Sequence, residues 1–455
     1  MRNHIEGHLA IGHKLTPQQQ FQDLPFIGRM ITDSPLTDLW QTDTNRLPWG
    51  LGKLRQKART FAEMHLAPLA AELDLAEHLA PGDMHPKVEE ILKLAGKEGW
   101  LSYFMPWPLG SLPYSVAPYP LIWSCSLVVE EFSRVCGGLM LLLSAHHLGC
   151  MPLILSGQTK HIFGALRHIY RDNLNGKPHL AAFAITEPQA GSDVEDSLGA
   201  SLYRPGVVAT PTNGGYLLNG RKCFISGGDL AESLTVFAAL EGEGMESWTC
   251  FYVKKPSQGF KVARTELKMG MRASGAAELE FDNVFVPEHD IVGGLRQGWV
   301  LNRATLNSSR IPVASMGVGF AAAATETAIE FARSTQLGGK PLIDYQEVQM
   351  QLATMLADTR SIRSLIWQEA RHSWRPRQLN ASVCKLQATD VAQRVAEMAL
   401  DLMGDQASLH ENRIEKILRD LRLTRIFEGT NQINRLSIIE DWQPQLLNNH
   451  QPVGV

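Results

Sequence analysis

The sequence predicts an α+β protein in which two helical regions flank a small β region. Two observations carry this: the apolar period runs from helical to alternating and back to helical, and a hairpin-type Asn-Gly signal lies in the alternating part. From Leu51 to about Leu180 the spacing is helical. FAEMHLAPLAAELDLAEHLA (61–80), KVEEILKLAGKEGWL (87–101) and a long apolar helix around Val128–Leu148 are separated by a loop punctuated by Pro106, Pro108, Pro113, Pro118 and Pro120. From about Ala181 to Gly294 the period shortens. Leu180–Ile185 and Leu234–Leu240 are apolar runs of strand length, and Leu279 and Phe281 alternate with Glu280 and Asp282. Asn219-Gly220, between Tyr216–Leu218 and Lys222–Ser226, predicts a hairpin. From Gly298 onward the pattern is helical again. Ala321–Ala332 is rich in helix formers, and Val391, Val395, Met398 and Leu402 mark one face of a helix that Gly404 stops. The predicted division is an unpatterned N-terminal extension (1–50), a helical domain (51–180), a β-domain (181–294), a helical C-terminal domain (295–442) and a tail (443–455).

Composition narrows the function classes. The 455 residues carry a net charge of −4, which offers no electrostatic footprint for nucleic acid. Six cysteines without a CxxC pair point to a reducing compartment and away from a zinc site, each reading best as a small buried hydrophobe. Met1–Gln20 has no apolar signal core. In the apolar stretch Leu121–Leu155, Glu130, Glu131 and Arg134 interrupt, so the longest clean run is expected to fall short of a membrane span. A soluble cytoplasmic protein is expected. His146 and His147 read as interior or rim groups, because no carboxylate or thiol shares metal-ligand spacing with them.

Two motifs carry chemistry. In RIFEGTNQINR (425–435), Glu428 follows Ile426 and Phe427 and precedes Gly429. Apolar neighbours raise a carboxyl pKa toward the range of a general base, and Gly429 lets a ligand approach the main chain. An isolated Glu-Gly pair more often marks a helix end beside a C-cap glycine. In AITEPQAGSD (184–193), a strand-like run ends in a turn of small residues that exposes amides and a hydroxyl, a setting for a flat heteroaromatic ring bearing phosphates. An ordinary strand-to-loop exit has the same look.

The segment 184–193 resembles the flavin-binding signature of acyl-CoA dehydrogenases. Three further stretches resemble that family in the same order: YLLNGRKCFISGG (216–228), LKMGMRASGAAELEFDNVFVP (267–287) and IEKILRDLRLTRIFEGTNQINR (414–435). The resemblance spans roughly residues 55–440. It implies an N-terminal helical domain, a central small β-barrel or sheet, and a C-terminal four-helix bundle that makes a homodimer or homotetramer.

Chemically, the resemblance implies FAD-dependent oxidation of an acyl-CoA or acyl-carrier-protein thioester to the trans-2-enoyl product in fatty-acid metabolism, with electrons passed to an electron-transfer flavoprotein. Glu428 matches the catalytic base. Phe183, Ile185, Thr186, Gly191 and Ser192, then Phe224, Ile225 and Ser226, then Thr430 and Gln432, match cofactor-binding positions. Ser192, Asn307, Arg310, Phe427 and Gly429 match substrate-binding positions, although Arg310 reads equally well as a salt-bridge partner. Some relatives place the base where this chain has Ser309, which cannot serve as one. No metal is implied.

The chain also departs from the family. Relatives carry an Arg and a Phe, in a motif resembling RxxFG, that grip the neighbouring subunit's cofactor; here Thr335 and Gly338 stand at those places. The family's QxxGG loop appears as DLMGD, with Asp401 and Asp405. Losing a cation and adding two acids near a diphosphate weakens anion binding by about 1–3 kcal/mol unless Arg333 or Lys340 compensates. Two alternatives stay open: a flavin oxidase or monooxygenase of the same fold, against whose monooxygenase branch Glu428 counts, and a catalytically silent scaffold or assembly subunit, which these departures motivate.

Overall fold

The computed structural model describes residues 24–31, 38–195 and 197–443. The predicted tail, save its first residue, and much of the N-terminal extension lie outside the described residues. The chain forms two compact units, residues 1–52 and 53–455. In the first, helices Phe26–Ile31 and Leu39–Asn45 occupy a stretch read from sequence as unpatterned. Asp38 caps the second by accepting from Gln41 N at 3.1 Å.

In the second unit, helices come first, in Ala67–Leu75, Pro86–Lys97, Leu121–Val135, Gly137–Leu155 and Arg167–Leu174. The single apolar helix expected around Val128–Leu148 is two helices, broken at Cys136. Cys136 is extended there, and beside it Gly137 admits a close approach, since a Cβ would come within 2.5 Å of Phe320. The expectation about the longest apolar run is also corrected. Gly137–Leu155 is 19 residues, long and apolar enough to cross a membrane by length and composition, but 72% of its apolar window is buried inside the fold. Glu130 and Glu131 are satisfied in the interior: Arg55 reaches them at 2.9 and 2.8 Å, and Arg363 and Trp367 reach Glu130 at 2.9 and 3.0 Å.

Eight strands follow: β1 Ala181–Ala184, β2 Val208–Thr212, β3 Gly215–Ser226, β4 Ser233–Leu240, β5 Thr249–Lys254, β6 Phe260–Thr265, β7 Ala276–Pro287 and β8 Ile291–Val292. The sheet order is β6-β7-β3-β2-β4-β5-β8, with β1 pairing β4. Every residue of β4 is buried, which suits a run of apolar and β-branched residues between parallel β1 and antiparallel β5. The hairpin expected at Asn219-Gly220 is not there. β3 runs straight through it, with a register shift against β7 between Leu218 and Gly220. Gly220 sits where a Cβ would lie 2.5 Å from the Gly206 carbonyl, so it serves close backbone approach rather than a turn. The chain reverses instead between β2 and β3, where Gly214 takes a φ of +78°.

The last region holds helices Gly298–Ser334, Gln346–Arg371, Gln378–Met403, Ile414–Thr424 and Asn431–Trp442. The 37-residue helix Gly298–Ser334 packs against Leu121–Val135 and Gln378–Met403. Small residues permit the approach: a Cβ on Gly317 would meet the Ala388 carbonyl at 2.8 Å, and one on Gly319 the Glu130 carbonyl at 2.4 Å. The buried stripe of Gln378–Met403 is Ala388, Ala392, Val395, Ala399 and Met403, so the predicted face is offset; of its four members Val395 alone is fully buried.

Candidate active site

A cavity of about 290 Å³ opens between helices Leu121–Val135, Gly137–Leu155 and Gly298–Ser334, the start of the sheet and the loop carrying Glu428. Phe183, Ile185 and Thr186 reach it from β1 and its exit, Gly191 and Ser192 from the following turn, and Phe224, Ile225 and Ser226 from the end of β3. Phe224 is held at a φ of +54° with 60% of its surface exposed, an apolar ring presented rather than packed. The far wall comes from residues that sequence reasoning did not single out as a site, among them Tyr103, Phe104, Met140, His147 and Pro312. Phe104 and His147 stack, with ring centroids 4.2 Å apart, in a lining that is otherwise largely aliphatic.

Glu428 enters the cavity from the loop between Ile414–Thr424 and Asn431–Trp442, flanked there by Phe427 and Gly429. Its φ is +56°, in the left-handed region that L-residues rarely occupy. The loop is held firmly. Arg310 Nε donates to the Glu428 carbonyl at 3.2 Å, while Lys385 Nζ and Asn434 Nδ2 donate to the Gly429 carbonyl at 2.7 and 2.8 Å. Among the described residues the Glu428 N–H has no hydrogen-bond acceptor.

The carboxyl itself accepts from Ser309 Oγ at 2.8 Å. Desolvation pushes its pKa up to about 7 and the nearby Glu195 adds to the rise, while the Ser309 hydrogen bond, Arg310 and Lys385 oppose it. Burial draws the Lys385 ammonium down to about 7 as well.

The structure gathers most of the sequence candidates but not all. Asn307, Arg310, Thr430 and Gln432 do not line the cavity. Gln432 is exposed on the last helix. Arg310 is 3% exposed and paired with Glu195 at 2.5 Å, which favours its salt-bridge reading. Thr430 caps Asn431–Trp442 by accepting from Ile433 N at 3.2 Å. Glu195 and Lys385 were missed. Glu195 stands in the acidic run DVED, which hides it, whereas a lysine in the alanine-rich face of Gln378–Met403 was a signal available in the sequence. Away from the cavity, His168, Asp172 and His179 bring ligand atoms within 4.8 Å of one another, a grouping the sequence spacing did not single out. Asp172 already serves both imidazoles, at 3.4 and 3.2 Å.

Three family profiles match in chain order: the acyl-CoA dehydrogenase N-terminal domain over residues 52–161, the middle domain over 182–284 and the C-terminal domain over 296–442. An acyl-CoA dehydrogenase of Bacillus subtilis is 33% identical over 391 residues, covering 85% of this chain and 96% of that one. The chain belongs to the acyl-CoA dehydrogenase family. Solved structures of the family's fold agree. The acyl-CoA dehydrogenase of Bacillus anthracis complexed with FAD superposes with a TM-score of 0.77 at 25% identity, covering 89% of this chain and 68% of that one. A chain from a structure described as the electron transferring flavoprotein of Acidaminococcus fermentans gives 0.76 at 27%, covering 87% and 98%. The chain is thus an oxidoreductase of a family that acts on CH–CH groups.

Proposed function

We propose that this family member oxidises an acyl-CoA thioester to its trans-2-enoyl product with FAD as cofactor and Glu428 as catalytic base. The observation that carries the reading is Glu428 itself, an acid poised near neutrality by burial and bonded to Ser309 in the wall that Phe183, Thr186, Phe224 and Ser226 share. The residues present fit a flat ring system: Phe224 presents an exposed apolar face, and hydroxyl-bearing Thr186, Ser192 and Ser226 stand around the same cavity. Bound there, the flavin supplies the acceptor for a hydride.

The protein's own share follows from its residues. Ionised Glu428 takes the proton from the carbon next to the thioester carbonyl. The hydride leaves the next carbon, and the electron pair of the broken C–H bond at the first carbon forms the double bond. The Glu428 N–H, without another acceptor, is available to the thioester oxygen and acidifies that carbon; a well-placed donor of this kind is worth about 3 kcal/mol. The apolar and aromatic wall formed by Tyr103, Phe104, Met140 and Pro312 accepts the acyl group and excludes water. In this reading the residues of 181–294 hold the ring system and those of 295–442 bring the base.

Electron-transfer flavoprotein is the acceptor the resemblance implies. Whether the thioester carrier is CoA or an acyl-carrier protein, and whether the protein is a dimer or tetramer, is decided by direct binding and by mass in solution. The test of the whole reading is anaerobic titration of the flavin-loaded protein with acyl-CoAs of graded length. Bleaching of the flavin spectrum by one chain class supports it. Protein that stays colourless after reconstitution with FAD sinks it in favour of a scaffold, and rapid reoxidation by dioxygen favours an oxidase.

A further inference from the structure

Glu195 takes no part in the proton and hydride transfers above, yet it lies in the cavity wall and is 8% exposed. Its Oε2 accepts from Arg310 Nη2 at 2.5 Å. Arg310 turns its other donors to the Glu428 carbonyl, to Asn307 Oδ1 at 3.3 Å and to Ser382 Oγ at 3.3 Å. A buried guanidinium requires a counter-charge, and among these four partners only Glu195 can supply one: burial raises its pKa and Arg310 draws it back toward the ionised form. The same carboxylate controls the neighbouring residue. A Cβ on Gly429 would lie 2.7 Å from Glu195 Oε2, so the loop can follow its path only with glycine there.

Glu428 sits in a strained conformation that persists only if its surroundings hold it. Arg310 grips one carbonyl of the loop, and Glu195 keeps Arg310 in place. We propose that Glu195 is a positioning residue for the reaction: through Arg310 it holds the main chain at Glu428, and it adds a second negative charge beside the base. This rests on Glu428 being the base. The groups that face Glu428 are Glu195 from the turn after β1, Arg310 and Ser309 from Gly298–Ser334, and Lys385 from Gln378–Met403. Glu195 acts against ionisation of Glu428, while the two cations and the hydroxyl favour it. Neutralising Glu195 removes the opposing charge and frees Arg310 from its counter-ion, so both effects make Glu428 a stronger acid.

The experiment follows Glu428 through its titration in two ways, comparing wild type with Glu195→Gln. In the flavin-loaded protein, the rate of flavin reduction by an acyl-CoA is measured against pH. In the apoprotein, the pH dependence of Tm is compared with and without Glu428→Gln in each background, which isolates Glu428 from every other group. The expected result is a midpoint lower by about half a pH unit or more in both measurements, with Glu195→Asp returning it toward wild type. A folded Glu195→Gln protein with an unmoved midpoint overturns the proposal, whatever its Tm, since a merely structural pair lowers Tm alone. Where Glu195→Gln does not fold, the comparison is made between Asn307→Asp and Asn307→Asp/Glu195→Gln, in which the new carboxylate pairs with Arg310. Wild-type protein that no acyl-CoA reduces overturns the base assignment and this proposal together; normal reduction with an unmoved midpoint overturns this proposal alone.

Discussion

Ser192 Oγ accepts the Thr430 N–H at 3.0 Å, across 238 residues of sequence. The bond ties the turn after β1 to the loop that carries Glu428, and the Glu195–Arg310 pair ties the same two segments a second time. The turn proposed to meet the ring and the loop proposed to carry the base are thus tied together. This matters because proton and hydride must leave adjacent carbons of one substrate.

Glu428→Gln is expected to retain flavin while slowing its reduction by acyl-CoA about 10²- to 10⁴-fold, the usual contribution of a general base. Anaerobic stopped-flow absorbance checks this, and turnover near the wild-type rate would exclude Glu428 as the base.

The same substitution has a stability signature. Glu428 titrates near 7 in the folded protein against an ordinary 4.5. A raised folded pKa means that its stability contribution is intact below about 4.5 and is lost as pH climbs through 7. Glu428→Gln apoprotein is thus expected to match wild type in acid and to exceed it above pH 7, by on the order of 1–3 kcal/mol. Urea unfolding at two pH values tests the sign.

Ser309→Ala removes a donor that favours the ionised base. A hydrogen bond to a charged group is worth about 1.5–3 kcal/mol, so the Glu428 pKa rises by about one to two units. Flavin reduction is expected to fall about five- to fifty-fold at neutral pH and to recover in alkali. A uniform loss across the pH profile would contradict the role given to Ser309.

Gly429→Ala is expected to destabilise the protein by about 1–3 kcal/mol and to impair flavin reduction severely. Gly429 has a φ of +80°, and the added methyl would stand 2.7 Å from Glu195 Oε2. Thermal unfolding and the reduction rate are the measurements.

Thr335→Arg addresses the departure from the family. Thr335 follows the end of Gly298–Ser334, before a hairpin of exposed residues. Restoring a cation is expected to slow loss of flavin on dialysis, by an affinity gain of about 1–3 kcal/mol. Unchanged retention would show that this position does not meet the cofactor.

Particular residues show how far the sequence could be read. Leu234–Leu240 was legible as a strand because burial on both faces leaves an apolar run interrupted only by the β-branched Thr235. Phe183, Thr186, Phe224, Ser226 and Glu428 were legible through motif resemblance, and all line one cavity. Asn219-Gly220 misled because the local turn signal is the same whether glycine serves a turn or close contact with the Gly206 carbonyl. The offset on Gln378–Met403 has a similar cause. Alanines, not the bulkier Val391 and Met398, make the tight interface, and a hydrophobicity pattern ranks them the wrong way round.

By itself the sequence determined the helical–β–helical order and singled out the two motif loops that meet at one cavity, because apolar period and turn chemistry are written within a few residues. Tertiary structure alone decided that Arg310 bonds Glu195 and the Glu428 carbonyl instead of facing the cavity, that Ser309 bonds the Glu428 carboxyl, and that burial pushes the Glu428 pKa up to about 7. These depend on desolvation and on charges brought together from segments more than a hundred residues apart. Neither exists until the chain has packed.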